Sequence, residues 1–278
     1  PLLPRDNKVT SKRGPIAVFV VALWIGGMAM MAHRNANRSE AQQLAEVALR
    51  VQPATFYYTI ERDGQQIGAA SSALDTTSKS LVSEEYFVGD DPSGATPPER
   101  TSARWQTRLT RGLHLVDLNA DVARPTKPFS INATVQEDTA IFIAGKKATR
   151  RPPARYTFTA PLFTPTSAAV VLMLSGTPTI GRSQTISVFD PMTRTVVRPT
   201  FRIRAESLFT VVDSASLDQS GTWRVAHRDT VRAWRIDGAP HGLEAWVDAE
   251  GRIVAARAGS FSAIRTAFEI AFRNSKTK

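Results

Sequence analysis

The longest apolar run of the chain lies near its start and contains no charged side chain. Residues 15–32 read PIAVFVVALWIGGMAMMA, and His33 and Arg34 follow. Eighteen helical residues at about 1.5 Å each extend about 27 Å, close to the thickness of the hydrocarbon layer of a membrane. The run predicts a transmembrane helix over residues 15–34, with residues 1–14 as a cytoplasmic tail because bases precede the span.

A secretory signal peptide is the alternative interpretation of this segment, since both begin with bases followed by an apolar stretch. The run is longer than the roughly 7 to 15 residues of a signal-peptide core, and the sequence around Ala32 is a poor cleavage site. We therefore expect an uncleaved anchor in a bacterial inner membrane, with the rest of the chain in the periplasm. The lipid bilayer is then one partner.

Four residues of the anchor are candidates for helix packing: Trp24, Gly26, Gly27 and His33. The two glycines allow close helix approach, although glycine is common in membrane helices in any case. Trp24 lies too deep for an interfacial position and would face a partner or lipid. His33 could bind a pigment or metal, but its position beside Arg34 favours an interfacial residue, so no cofactor is predicted.

The apolar period changes twice after the anchor. Residues 35–53 have Leu44, Val47 and Val51 at helical spacing and predict an amphipathic linker that ends at Pro53. From Thr55 onward the period is two, and the Asp63-Gly64 pair predicts the first hairpin. Further strands are predicted at 80–88, 103–110, 113–119, 130–136, 139–144, 156–159, 222–225, 231–236, 243–248 and 253–258. Another predicted strand ends at Phe189, and one more begins at Phe201.

One helix is predicted within this β-rich region, at residues 164–174, with Thr164 as its cap and Pro165 as its first residue. Residues 265–272 are predicted to form a strand or a short helix. The predicted fold is mainly β: one N-terminal transmembrane helix plus a large antiparallel curved sheet or half-barrel with one or two helices. The domain would cover residues 54–278.

Composition and charge narrow the functional classes. The chain has no cysteine, which excludes disulfides, thiol nucleophiles and cysteine metal sites. Its net charge of +10 could indicate a nucleic-acid partner, but residues 1–38 alone hold six bases and one acid. Half of the excess therefore lies where a membrane anchor would place it, and no nucleic-acid partner is expected.

The sequence contains no pattern typical of an enzyme. Its four histidines are far apart and form no metal-binding pair, so no metal site is predicted. Ser175, His227 and Asp248 could be combined into a triad, but a chain of this length supplies such trios by chance. We expect a non-enzymatic protein.

Two charged segments are candidate partner contacts, although solvated loops are the simpler explanation for both. One is an acidic loop rich in proline, and the other is a basic cluster that could bind lipid headgroups or an acidic partner. The candidate residues are Asp90, Asp91, Lys146, Lys147, Arg150 and Arg151.

The hairpin over residues 58–68, the run over 188–191 and the segment over 245–254 resemble periplasmic domains of the LolA-like half-barrel type. This resemblance implies the half-barrel fold over about residues 55–272. Together with the anchor, the chain also resembles a single-pass accessory subunit of a bacterial, Gemmatimonadota-type reaction centre–light-harvesting photosystem. That likeness implies contacts with other membrane subunits of a large complex.

Two functions remain open from the sequence. The first is a structural subunit that stabilises a membrane complex, and the resemblance implies a photosynthetic reaction centre–light-harvesting complex. The second is a carrier that holds a lipid or another apolar molecule inside the half-barrel. The carrier predicts a cavity lined by Phe56, Tyr58, Phe201 and Ile203, with the helix at 164–174 covering it.

Overall fold

The structure is a computed structural model, and the account below concerns the residues that it describes. These are residues 46, 49, 51–77, 80–90, 99–125, 128–137, 139–144, 152–158, 161–190, 193, 195–238 and 242–273. The predicted transmembrane helix at 15–34 and most of the predicted linker lie outside them. Among the residues described, neither helix is long and apolar enough to cross a membrane.

Strands make up most of the described chain. They are β1 Ala54–Arg62, β2 Gln65–Thr76, β3 Ser80–Asp90, β4 Arg100–Thr110, β5 Leu115–Ala123, β6 Phe129–Gln136, β7 Thr139–Ala144, β8 Ala154–Thr157, β9 Ser183–Thr185, β10 Val188–Asp190, β11 Thr195–Val197, β12 Thr200–Leu217, β13 Trp223–Asp237, β14 Glu244–Val247, β15 Ile253–Ala258 and β16 Phe261–Thr266. The helices are α1, Pro165–Leu174, and α2, Phe268–Ala271.

Fourteen strands form one antiparallel sheet. Their order is β8-β7-β6-β5-β4-β3-β2-β1-β16-β15-β14-β13-β12-β9, and β10 pairs with β11 separately. Strands β1 to β8 and β12 to β16 pair with their neighbours in sequence, and β9 pairs with β12. The first and second halves of the sheet join where β1 pairs with β16, from Tyr57↔Thr266 to Arg62↔Phe261. The prediction of a mainly β domain with a large antiparallel sheet is confirmed.

The turn between β1 and β2 shows why the chain reverses there. Asp63 and Gly64 both have positive φ, 51° and 78°, which is the backbone of the two-residue hairpin turn that Asp-Gly favours. The β14–β15 turn is built differently. Asp248 Oδ1 accepts hydrogen bonds from the backbone N–H groups of Glu250 and Arg252, at 3.1 and 2.9 Å.

Helix α1 begins as the sequence predicts. The Thr164 hydroxyl accepts from the Ser167 N–H, and the Ser167 hydroxyl accepts from the Thr164 N–H, so both backbone donors are satisfied. The helix packs in a single apolar core that draws on strands from both halves of the sheet, including Leu109, Ile131, Phe201 and Ile236. Strands so distant in sheet order share one core because the sheet curves around α1.

The two helices lie on opposite faces of the sheet. On β1, Phe56 and Tyr58 face α1, and we call this the inner face; successive side chains alternate, so Tyr57 lies on the outer face. There the Tyr57 ring contacts Phe268 and Phe272, with centroids 5.1 and 6.2 Å apart.

The structure differs from the sequence prediction in several elements, including β9 and β11, where no strand was predicted. The separate strands expected at 222–225 and 231–236 are one continuous strand, β13, paired along its length with β12. Residues 265–272, predicted as a strand or a short helix, include the end of β16 and the helix α2. The start of β16, at residues 261–264, was not predicted, because it has no strong strand pattern of its own. Leu113, expected to begin β5, instead has a φ of 64° and belongs to the turn before it.

Candidate functional site

A cavity of about 120 Å³ lies between α1 and the inner face of the sheet. We call it the first chamber. Helix α1 contributes Thr166, Ala169 and Val170 to its wall, and β1 contributes Phe56 and Tyr58. Side chains from the other half of the sheet complete the wall, namely Phe201, Ile236, Ala245, Val247 and Ile253. The lining is therefore mostly aliphatic and aromatic.

A second chamber of about 220 Å³ adjoins the first along the same face. Its apolar wall includes Ile60, Phe87, Trp105, Ala256 and Ala263. The two chambers share five lining residues, which we call the waist: Tyr58, Ser72, Glu85, Thr166 and Ile253.

The period-two pattern of the strands explains how the waist is assembled. Antiparallel partners face the same side of a sheet, and the register pairs Phe56 with Ser72, Ser72 with Glu85, and Glu85 with Trp105. A row of inner-face side chains thus crosses β1 to β4. Glu85 is the charged residue in that row.

Glu85 lies beneath the first turn of α1, in surroundings that disfavour its charge. Burial raises the pKa of its carboxyl group, and a side-chain hydrogen bond with Thr166 acts in the opposite direction. Measured by its solvent exposure, Glu85 is half-buried. A single carboxyl in an apolar cavity can orient a ligand by hydrogen bonding.

An ion pair lies beside the first chamber. Arg265 Nη1 is 3.5 Å from Asp248 Oδ2, with side chains 19% and 9% exposed. Burial is the main cause of the shifts in both pKa values: it raises that of Asp248 and lowers that of Arg265. The Arg265 guanidinium also lies 3.6 Å from the centroid of the Phe56 ring, a cation–π contact.

Tyr58 belongs to the waist and lies opposite Arg265 of this ion pair in the register of β1 and β16. Its hydroxyl donates to the Ile253 carbonyl at 3.1 Å, and burial raises the pKa of its phenol. The hydroxyl therefore stays protonated and fixes the Tyr58 ring against β15.

The β14–β15 turn fixes the position of α1. Gly251 has a φ of +80°, and a Cβ atom at this position would lie 2.4 Å from Val170 Cα and 2.7 Å from Val170 N. Only glycine allows the backbone of the turn to approach the helix backbone this closely. The height of the first chamber is set by this contact.

Three of the four residues predicted to line a cavity do so: Phe56, Tyr58 and Phe201. Ile203 is completely buried in the core instead. Helix α1 covers the first chamber, as expected of the helix at 164–174.

Of the six candidate partner contacts, the structure describes Asp90, which is not among the residues that line either chamber. Asp90 ends β3, and its carboxylate lies 3.9 Å from Arg100 Nη1 on an exposed surface. Asp91, Lys146, Lys147, Arg150 and Arg151 lie outside the described residues, as do Trp24, Gly26, Gly27 and His33. Their roles remain predictions.

The structure does not assemble the trio of Ser175, His227 and Asp248. The Ser175 hydroxyl bonds to Gln184, His227 to Asp229, and Asp248 to its own turn. Asp213, His227 and Asp229 do present ligand atoms within 4.8 Å of one another. All three are exposed, and such surface groups are common without an ion.

Glu85 and Arg265 are the site residues that the sequence analysis missed. The sequence SLVSEEYFVGD does contain a signal, because a period of two places Glu85 on the same face as Leu81 and Phe87. One of the two adjacent glutamates in this strand had to face inward. Arg265 had no comparable signal, since residues 265–272 were predicted as either a strand or a short helix and the start of β16 was not predicted.

Comparison with protein families gives no match, and comparison with curated proteins gives none either. Among solved structures, the chain is similar to a β-barrel-like protein of domain-of-unknown-function family DUF1849 from Brucella abortus. The TM-score is 0.51 at 14% identity, covering 78% of this chain and 96% of that one. A DUF1089 family protein from Pseudomonas aeruginosa has a TM-score of 0.37 at 10% identity, covering 66% and 87%. The first likeness shows a shared fold alone.

Proposed function

We propose that the curved sheet is an open half-barrel that binds an apolar molecule between its inner face and α1. The observation that carries this proposal is the apolar first chamber beneath the helix, continuous in its walls with the second. Cavities of this kind, with few polar groups, are the usual form of small-molecule sites. The role is that of a carrier or a binding protein, without chemistry on the ligand.

Energetics favour a ligand with a long apolar part. Each buried methylene contributes about 0.8 kcal/mol, whereas association costs about 4 to 15 kcal/mol in lost freedom. About 5 to 19 buried methylenes are needed to offset this cost, so useful affinity requires a long apolar chain. A lipid chain meets this requirement, and a small polar metabolite does not.

Binding can be measured by fluorescence titration with N-phenyl-1-naphthylamine, a neutral probe that brightens in apolar surroundings. Ser72 lies at the waist, so we expect Ser72→Phe to fill it and weaken probe binding about tenfold or more, equal to about 1.4 kcal/mol. Ala73→Phe is the matched control, because Ala73 is the next residue of β2 and lies on the outer face. It should bind the probe as the wild type does.

Equal probe binding by both variants would overturn the proposal, as would the absence of binding by a folded wild-type protein. Thermal unfolding of each variant establishes that the comparison is made between folded proteins.

A structural role in a membrane complex is the second candidate. It depends on the predicted anchor at 15–34, and one observation on the described residues favours contact with another protein. Leu208 and Leu217 on β12 are 65% and 57% exposed, and burial of these side chains against a partner would stabilise a complex. Mild detergent extraction and mass spectrometry should then recover stoichiometric membrane proteins with the wild type and less with Leu208→Ser/Leu217→Ser. Recovery of a lone chain would contradict this role.

A further inference from the structure

The two chambers differ from the waist between them in chemistry. Away from the waist, their walls are dominated by aliphatic and aromatic side chains. The waist brings together the polar groups of Tyr58, Ser72, Glu85 and Thr166. Polar side chains also line the first chamber, namely Ser83, Ser167 and Arg252. The waist places a carboxyl group, that of Glu85, on the wall shared by both chambers.

The hydrogen-bonding roles at the waist are partly assigned. The Tyr58 O–H is used, because it donates to the Ile253 carbonyl at 3.1 Å. The Thr166 hydroxyl pairs with the Glu85 carboxyl. An ionised carboxylate has about four lone-pair directions and no donor, so Glu85 can accept further hydrogen bonds after Thr166 is satisfied.

We infer that the two chambers form a single site for an elongated apolar molecule with a hydrogen-bond donor, a hydroxyl or an amine, near the middle of its chain. The donor binds the Glu85 carboxylate at the waist, and the two apolar arms occupy the two chambers. This inference rests on the proposed function and specifies the class of its ligand.

The alternatives at the waist are penalised for physical reasons. A plain hydrocarbon would remove water from Glu85 without replacing the lost hydrogen bonds. A ketone or a carboxylate would set its own acceptor oxygen against the carboxylate. A hydrogen bond to a charged group changes affinity by about ten- to a hundredfold, so the expected selectivity is large enough to measure.

The test uses three ligands with the same skeleton: heptadecan-9-ol, heptadecan-9-one and heptadecane. Each competes with N-phenyl-1-naphthylamine at mildly alkaline pH, which favours the ionised form of the Glu85 carboxyl group. For the wild type we expect the alcohol to bind about tenfold or more tightly than the ketone or the hydrocarbon. The corresponding 9-amine distinguishes the two donors, since tighter binding than the alcohol assigns a cationic ligand and weaker binding a neutral one.

Three variants locate the selectivity. Glu85→Leu should bind the probe but lose the preference for the alcohol. Glu85→Gln, whose amide both accepts and donates, should hold alcohol and ketone equally and both more tightly than the hydrocarbon. Glu84→Leu is the control, because Glu84 lies on the outer face, 2.9 Å from Arg104, and should keep the wild-type order.

Equal affinities for the three ligands in the wild type would overturn the inference, and so would an alcohol preference that survives in Glu85→Leu. Either result leaves the proposed function standing, provided that the probe binds and Ser72→Phe blocks it. Failure of the probe to bind would instead overturn the proposed function itself.

Discussion

At the scale of single residues, Glu85 places an ionisable carboxyl group on a half-buried, mostly apolar wall. Because burial raises its pKa, the folded protein binds the proton more tightly than the unfolded chain does. The stabilisation from this proton is complete below the ordinary pKa of glutamate and is lost as the pH rises through the raised value.

Glu85→Gln should therefore be more stable than the wild type at pH 8 and about equally stable at pH 4. The amide keeps the contact with Thr166 and cannot ionise, so it avoids the cost of burying charge. Urea unfolding at the two pH values measures the difference. Glu84→Gln loses an exposed ion pair worth less than about 1 kcal/mol and should not reproduce the gain at pH 8. A gain at pH 4 that equals the gain at pH 8 would contradict this account.

The ion pair of Asp248 and Arg265 gives a second prediction at this scale. Arg265→Met removes the cation and leaves a carboxylate that is 9% exposed, so we expect a loss of about 3 kcal/mol in unfolding free energy. Asp248→Asn in the same chain should restore part of this loss, because the amide oxygen can still accept from the N–H groups of the turn. Chemical denaturation of Arg265→Met, Asp248→Asn and the double variant gives the coupling free energy between the two residues. Additive losses would show that the two residues act independently.

At the scale of elements, the contact between α1 and the β14–β15 turn determines how far the helix stands from the sheet. Gly251→Ala should destabilise the protein by about 3 kcal/mol, from a positive φ and from overlap with the Val170 backbone. Gly259→Ala is the control, because Gly259 has a φ of +59° with open space around it. It should cost only about 1 kcal/mol. Equal losses in thermal unfolding would show that the helix contact contributes nothing.

Elements with local signals were the predictable ones. Asp63-Gly64 specifies its turn through backbone preference, and Thr164, Pro165 and Ser167 specify the start of α1 through capping. The start of β16 could not be predicted, because its conformation depends on pairing with β1, about 200 residues away. In the middle of β13, AHRDT has no apolar alternation. Its strand conformation comes from the partner strand β12.

The residues of the candidate site were predictable only where a local sequence pattern identifies them. Phe56 and Tyr58 follow from alternation along β1, and Phe201 follows in the same way from β12. The waist could not be predicted, because the position of Glu85 under Thr166 depends on four strands in register and on the curvature that brings α1 over them. Local sequence contains neither the register nor the curvature.

At the scale of the whole molecule, one seam holds the two halves of the sheet together. The halves share a core around α1, and within the fourteen-stranded sheet they are paired through β1 and β16. Further backbone hydrogen bonds outside the sheet run from Leu115 to Leu162 and from Phe163 to Ser187. The segment after β15 also supplies α2, whose Ala271 carbonyl accepts from Gln66 Nε2 at 2.8 Å. A small C-terminal segment therefore closes a structure built from residues far apart in sequence.

A chain shortened to end at Gly259 should lose the fold as a whole. Without residues 260–278, β1 and β15 become unpaired edges, and exposed edges of this kind promote association between chains. We expect aggregates in size-exclusion chromatography and no cooperative unfolding, whereas a chain ending at Arg273 should remain folded. A monomer ending at Gly259 with a cooperative transition would mean that the shared core, and not the seam, holds the halves together. The chambers would then survive without β16, and probe binding by that monomer would distinguish a closed site from an open one.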